Sequence, residues 1–279
     1  MIVLSWVQVE PALAAVEAGE GAIPMSPDLN RTTVEVRLGE VGITFPGGER
    51  LGWEDARRIV ETKNRCYRLA EGGIEEIQAF SEVTNWARSL MPTEGAPTML
   101  VSGVPMHRIS GVDPHQDTLL KVRTLKPIHG AVLDTATGLG YTAIEASRTA
   151  ERVVTVEIDP AALEIARYNP WSAELFDHPR IEQVVGDVFD VVEDTADGVF
   201  SCVIHDPPMF SLAGDLYSGE FYRELHRILR QRGRLFHYVG DLDSKSGHGV
   251  VKGVVRRLQE AGFSRIQRRP EAFGVVASK

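Results

Sequence analysis

The chain has 279 residues, a formal net charge of −9, a pI of about 5.4, 43% hydrophobic and 25% charged residues. That length buries a substantial core in one large or two smaller domains, and the composition is that of an ordinary soluble protein. The acidic balance argues against non-specific nucleic-acid binding, the lack of an apolar run of roughly 20 residues against a membrane span, and the spacing of Cys66 and Cys202 against a metal site or disulfide framework.

The N-terminus lacks the basic start of a secretory signal, so a cytoplasmic protein with reduced cysteines is expected. Charge is unevenly placed. Residues 131–222 are acidic. From Arg223 onward basic residues such as Arg230, Arg232, Arg256, Arg257, Arg268 and Arg269 outnumber the acids. Solvated helix faces account for this, and so does a face for a polyanion.

Residues 1–97 read as a small α+β domain. Trp6–Gly21 suits a helix. Thr32–Leu38 alternates apolar and polar and pairs with Val41–Phe45 as a hairpin. Trp53–Lys63 is a helix, and Cys66–Leu69 and Ile74–Phe80 are two strands about Glu71-Gly-Gly73. Nothing here reads as catalytic. Substrate recognition or dimer contact is the expected role, with a plain scaffold as the alternative. Pro92–Pro97 forms a loop and a domain boundary, leaving 98–279 as the second domain. A helix follows Asp113-Pro114, with Asp117–Leu125 as its body. His107, Asp113, His115, Asp117 and Lys121 crowd this stretch, but their spacing matches no common metal site, and an Asp N-cap on an amphipathic helix explains most of them. One or two, with His107 and Asp117 the candidates, reach a ligand.

From Gly130 strands and helices alternate. Strands are read at Ala131–Thr135, Arg152–Glu157, Ile181–Asp187, Phe200–Asp206 and Gly233–Val239, and helices at Tyr141–Thr149, Pro160–Tyr168, Gly219–Leu229 and Val250–Ala261. Arg265–Arg269 and Phe273–Ala277 close the chain as a hairpin. The fold class is α/β, a Rossmann-like parallel sheet ending in an antiparallel hairpin.

Ligands in such sheets bind at the carboxyl ends of the strands. The first strand there meets a turn of small residues opening a helix, Asp134-Thr-Ala136-Thr-Gly138-Leu-Gly140, which suits a nucleotide-like ligand. The second ends at Glu157, placed for two ribose hydroxyls. The third ends at Asp187-Val188, an acid for a purine amino group beside an apolar contact. The fourth ends at Asp206-Pro207-Pro208-Met209-Phe210.

These residues resemble the class I S-adenosylmethionine-dependent methyltransferases. Asp134-x-Ala136-x-Gly138-x-Gly140 is similar to the acidic, glycine-rich first motif, with Ala136 in place of one glycine. Asp206-Pro-Pro-Met-Phe210 resembles the motif of enzymes that methylate an amino nitrogen, except that the aromatic ring comes one position late. The resemblance implies S-adenosyl-L-methionine as cofactor, with Asp134, Ala136, Gly138, Gly140, Glu157, Asp187, Val188 and Asp206 around it. It implies that Asp206 and a carbonyl accept hydrogen bonds from the target amine, that Pro207 and Pro208 rigidify the turn, and that Phe210 stacks on a planar acceptor. The run to Tyr217, with Phe236-His237-Tyr238-Val-Gly240, resembles a mainly archaeal group often labelled spermidine-synthase-like. One branch of that group is similar to ribosomal RNA cytidine N4-methyltransferases. Tyr217, His237 and Tyr238 then lie at the substrate mouth, or serve only as core.

The first function expected is methyl transfer to an exocyclic amine of structured RNA, cytidine N4 of ribosomal RNA in particular. The alternative is aminopropyl transfer from decarboxylated S-adenosylmethionine to a polyamine, for which an acidic protein is suited. A non-catalytic binding subunit is a third reading, opposed by the intact Glu157, Asp187 and Asp206. No metal or membrane is implied, and a homodimer is compatible with the extra domain.

Overall fold

The computed structural model describes residues 1–208, 214–242 and 244–279. The chain divides into two compact units, Met1–His115 with Ala161–Ala173, and Gln116–Pro160 with Glu174–Lys279.

In the first unit, Trp6–Glu17 is a helix opened by a capping box. The Ser5 hydroxyl accepts from the amide of Val7, and Gln8 Oε1 accepts from the amide of Ser5 at 2.9 Å. The hairpin reading holds, with Val34–Gly39 paired to Gly42–Thr44. Ala22–Met25 and Arg50–Gly52 flank it in a four-stranded sheet. The stretch read as one strand over Ile74–Phe80 is two. Gly73–Glu76 pairs with Tyr67–Ala70, whereas Gln78–Phe80 pairs with Ala87–Met91 in another sheet. The hand-over falls at the buried Ile77, whose amide donates to Cys66 O and whose carbonyl accepts from Leu90, both at 3.0 Å. The Pro92–Pro97 loop joins Ala87–Met91 to Thr98–Val101, which are antiparallel neighbours. Strands at 22–25, 87–91 and 98–101 carry no clear alternation in the sequence, and none was expected there.

In the second unit, helix α1 (Pro114–Arg123) leads into strand β1 (Ala131–Asp134). Then follow α2 (Tyr141–Ser147), β2 (Arg152–Glu157), β3 (Ile181–Val185), α3 (Val188–Asp194), β4 (Phe200–His205), α4 (Gly219–Ile228), β5 (Leu229–Tyr238), α5 (Lys245–Glu260), β6 (Ser264–Arg269) and β7 (Gly274–Ser278). The strands form one sheet in the order β3-β2-β1-β4-β5-β7-β6, parallel through β5 and antiparallel at β7 and β6. This is the expected Rossmann-like sheet with its closing hairpin. The parallel centre explains the apolar runs: every residue of β4 is buried, because helices cover both faces. On one face Phe221, Tyr222 and Leu225 of α4 and Val251, Val254 and Leu258 of α5 pack on Leu133, Val203, Leu235 and Val275. Ser218 caps α4, accepting from the Phe221 amide at 3.0 Å, and α4 then runs directly into β5 at Leu229. β5 thus starts earlier than its apolar run suggested.

Among the described residues no helix is long and apolar enough to cross a membrane.

Candidate active site

The register sets several polar residues on one edge of the second unit's sheet. Asp134 pairs with Thr155 and Ile204, Glu157 with Val185, and His205 with His237, so the carboxyl ends of β1 to β5 finish together. Three clusters stand there.

The first surrounds Asp134, which is fully buried. Its Oδ2 accepts from the hydroxyls of Thr155 at 2.8 Å and Thr142 at 3.1 Å. Because the Thr155 proton is committed, the Thr137 hydroxyl, 2.7 Å away, is left to donate to Thr155. Oδ1 of Asp134 has no hydrogen-bond partner among the described residues. Burial drives this carboxyl up to about 7, against the two threonine hydrogen bonds, and the nearby charges of Asp206 and Glu157 add to the rise.

The second cluster is the turn after β1. Gly138 and Gly140 adopt φ of 51° and 77°, a region that favours glycine. A Cβ on Gly140 would come within 2.6 Å of Leu175 Cδ2. Ala136 lies half-buried between Asp134 and Gly138. The Gly138 amide donates to Glu157 Oε2 at 2.8 Å, and the Asp159 amide donates to Oε1 at 3.0 Å. Backbone donors therefore fix the Glu157 carboxylate, and a carboxylate in that place is the acceptor type that suits a vicinal diol. Asp187 Oδ1 caps α3 through the Phe189 amide at 2.8 Å, and Val188 beside it is buried. An unpartnered buried Oδ1, positive-φ glycines and a braced acid at the neighbouring strand end fit an adenosyl ligand.

The third cluster lies at the ends of β4 and β5. Lys121 of α1 is 2% exposed, and its Nζ stands 2.8 Å from Asp117 Oδ2 and 2.6 Å from Asp206 Oδ2. It also lies 4.6 Å from the centroid of the Tyr238 ring. Burial pulls the Lys121 ammonium down, but Asp206 and Asp117 more than offset it and hold it above the ordinary lysine range. Burial raises the Asp206 carboxyl and Lys121 opposes the rise. Behind this pair the rings of His205 and His237 stand 4.4 Å apart and both are fully buried. His205 Nε2 is 2.9 Å from Leu216 O, which only accepts, so Nε2 carries the proton and Nδ1 accepts from Thr135 Oγ1 at 2.7 Å. Burial pushes this imidazole down to about 3. His237 Nε2 lies 2.7 Å from the Tyr222 hydroxyl.

The residues expected from the sequence distribute as follows. Asp117, Asp206 and Tyr238 come together around Lys121. Pro207 is buried, and the Pro208 carbonyl accepts from the Tyr217 hydroxyl at 3.0 Å. Tyr217 and His237 are packed ring to ring, 5.2 Å apart, as part of the buried layer. His107 lies in the other compact unit, with Nδ1 3.0 Å from Thr98 Oγ1. Met209 and Phe210 fall outside the described residues. The sequence places Lys121 in the polar stretch near the ligand but singles out only His107 and Asp117 there, and it assigns His205 and Tyr222 no role at the site. The signal available for Lys121 was its spacing of four from Asp117 on one helix.

Comparison with known proteins agrees with the sheet. The methyltransferase small domain profile matches residues 103–255. An uncharacterized protein of Methanocaldococcus jannaschii is 44% identical over 237 residues, covering 84% of this chain and 80% of that one. Polyamine aminopropyltransferase 2 of Streptomyces coelicolor is 33% identical over 125 residues, which is 42% of this chain but only 23% of that protein. Spermidine synthase from Thermotoga maritima superposes with a TM-score of 0.57 at 21% identity, over 72% of this chain and 71% of that one, a likeness of fold. With the match spanning more than half its length, the chain belongs to the methyltransferase small domain family.

Proposed function

We propose that the chain transfers an alkyl group from an adenosyl sulfonium compound to an amine nitrogen, and that the group is an aminopropyl group passed to a polyamine-type amine. The observation that carries the amine acceptor is Asp206, held at the end of β4 by Lys121 and next to the cluster around Asp134. The sulfonium donor supplies an electrophilic carbon. The amine lone pair forms the new C–N bond, the C–S bond breaks with its electrons going to sulfur, and the resulting ammonium releases its proton to water. Asp206 orients the amine by accepting its hydrogen bond, which is catalysis by positioning and electrostatics. Glu157 takes the ribose hydroxyls, Asp187 and Val188 take the adenine, and the turn at Ala136, Gly138 and Gly140 leaves room for the donor.

Two things favour the aminopropyl reading over the ribosomal RNA expected from the sequence. The relatives named above with an assigned activity are an aminopropyltransferase and a spermidine synthase. At this edge Asp117 and Asp206 hold one buried cation, Asp134 feels the charges of Asp206 and Glu157, and an acidic site suits a donor tail and acceptor that are both cationic. Methyl transfer from S-adenosyl-L-methionine to a nucleobase amine is the second reading, favoured by the Asp206-Pro207-Pro208 turn.

The test is calorimetry of 5′-methylthioadenosine against S-adenosylhomocysteine, with mass spectrometry of products from putrescine or RNA. Tighter binding of methylthioadenosine and an aminopropylated amine are expected. Preference for S-adenosylhomocysteine with methylated cytidine in RNA would replace this reading by the second. Binding of neither would remove both.

A further inference from the structure

Lys121 is a buried ammonium already seated on the carboxylate that the acceptor amine is to use. Its protons are directed at Asp117 of its own helix and at Asp206 at the end of β4, with the Tyr238 ring from the end of β5 alongside. Other titratable groups face this pair. Asp134 at the end of β1 feels the charge of Asp206, as does Tyr217, whose hydroxyl is pushed up first by burial and then by Asp206 and Tyr238. Among the described residues, Lys121 is the hydrogen-bond partner of Asp206, and it takes Oδ2.

We infer that Lys121 is a positioning residue that keeps the acceptor nitrogen unprotonated: by serving as the resident counter-ion of Asp206, it leaves Oδ1 to accept from a neutral amine instead of trapping an ammonium. The inference rests on the amine-transfer reading above. An ammonium has no lone pair and cannot attack carbon. An alkyl amine with a pKa near that of lysine, about 10.4, is only about one part in 2,500 free base at pH 7. An unpaired carboxylate would stabilise the protonated form further. With Lys121 in place, an amine on Oδ1 stands roughly 5 Å from Nζ. Two like charges at that distance shift a pKa by about two units at an effective dielectric constant near 20. The free-base fraction at neutral pH then rises about 100-fold over that beside a lone carboxylate. The surrounding acids still attract the distant cationic end of a diamine, so recruitment and activation fall to different groups.

The test compares the unaltered 279-residue chain with Lys121→Met and Lys121→Arg, and with Lys121→Gln should the methionine variant fail to bind 5′-methylthioadenosine. Aminopropyl transfer to putrescine is followed from pH 6 to 10. The methionine or glutamine variant is expected to move the midpoint of the rate profile about two units alkaline, losing at least tenfold at pH 7, with the deficit narrowing as pH rises toward 10. The arginine variant keeps the original midpoint. A profile that falls by one factor at every pH, or does not move, overturns the inference. A second arm needs no turnover. With methylthioadenosine bound, putrescine affinity at pH 7 is expected to rise at least tenfold on removal of Lys121, and equal affinity, or no putrescine binding by any form, overturns the inference. If the unaltered protein transfers nothing to putrescine yet the affinity gain is seen, the reaction assigned above fails while the role of Lys121 stands. If transfer occurs and the midpoint stays fixed, the reverse holds.

Discussion

Asp134 gives a stability prediction whose sign is unusual for a carboxylate. Its carboxyl is fully buried and pushed up to about 7 from 3.8, by burial first and by Asp206 and Glu157 after the opposing threonine bonds. A group whose folded pKa lies above its unfolded one holds its proton more tightly when folded. Its contribution is therefore complete below about pH 4 and is lost as pH rises through 7. Three units correspond to about 4 kcal/mol, and the loss runs at up to about 1.4 kcal/mol per pH unit between 5 and 7. His205 and His237 act in the opposite sense. Burial lowers both, so the stability they contribute is present above about pH 6.5 and is lost as pH falls toward their folded values. The two slopes partly cancel in the native protein, which hides each of them.

Asp134→Asn separates them. Asparagine retains a carbonyl oxygen for the hydroxyls of Thr142 and Thr155 and does not titrate. Urea unfolding of both proteins at pH 5, 6, 7 and 8 gives the difference in stability at each pH. That difference is expected to shift by about 2 kcal/mol between pH 5 and 7, the native protein losing ground as pH rises, and to level off above pH 8. Parallel curves would show that Asp134 is ionised throughout and that burial does not dominate its environment.

Other substitutions probe the remaining groups. Glu157→Ala removes a carboxylate held by the Gly138 and Asp159 amides, and with two charge-assisted hydrogen bonds at stake it should weaken methylthioadenosine binding by about 100-fold in calorimetry; an unchanged constant would remove the ribose role. Asp206→Asn should lower transfer about 10²- to 10⁴-fold while leaving adenosyl binding within about threefold, since its contribution is made to the amine; activity within a few-fold of the original would end its assignment as acceptor. Tyr222→Phe leaves the buried Nε2 of His237 without its hydroxyl neighbour and should cost about 1–3 kcal/mol in urea unfolding.

Much of the sheet was legible because its physics is local. A strand buried on both faces must be an apolar run, and the turns at its carboxyl end must carry Gly, Asp or Pro, so β1, β2 and β4 and their terminal acids could be read one by one. The first unit was less legible for a physical reason. Its strands are short and change partners, as at Ile77, where one extended run leaves one sheet and enters another with no interruption in the residues. Hydrophobic alternation reports which face is buried and says nothing of which neighbour supplies the hydrogen bonds.

Lys121 shows the same limit at the site. Its pairing with Asp117 is a local helix spacing, but its contact with Asp206 spans 85 residues and exists because α1 and the end of β4 meet at one edge of the sheet. That contact changes what Asp206 means. Read alone in Asp206-Pro-Pro, the carboxylate is an acceptor for any amine, cationic or conjugated. With an ammonium on Oδ2 and a second carboxylate behind that ammonium, it becomes one pole of a compensated pair, and the state of the incoming nitrogen is set by the pair as a unit. The donor turn at Asp134–Gly140 is indifferent to this. In the proposed reaction it cradles an adenosyl group whichever carbon is transferred, and the choice of acceptor then falls to the end of β4 and to the helix that precedes β1.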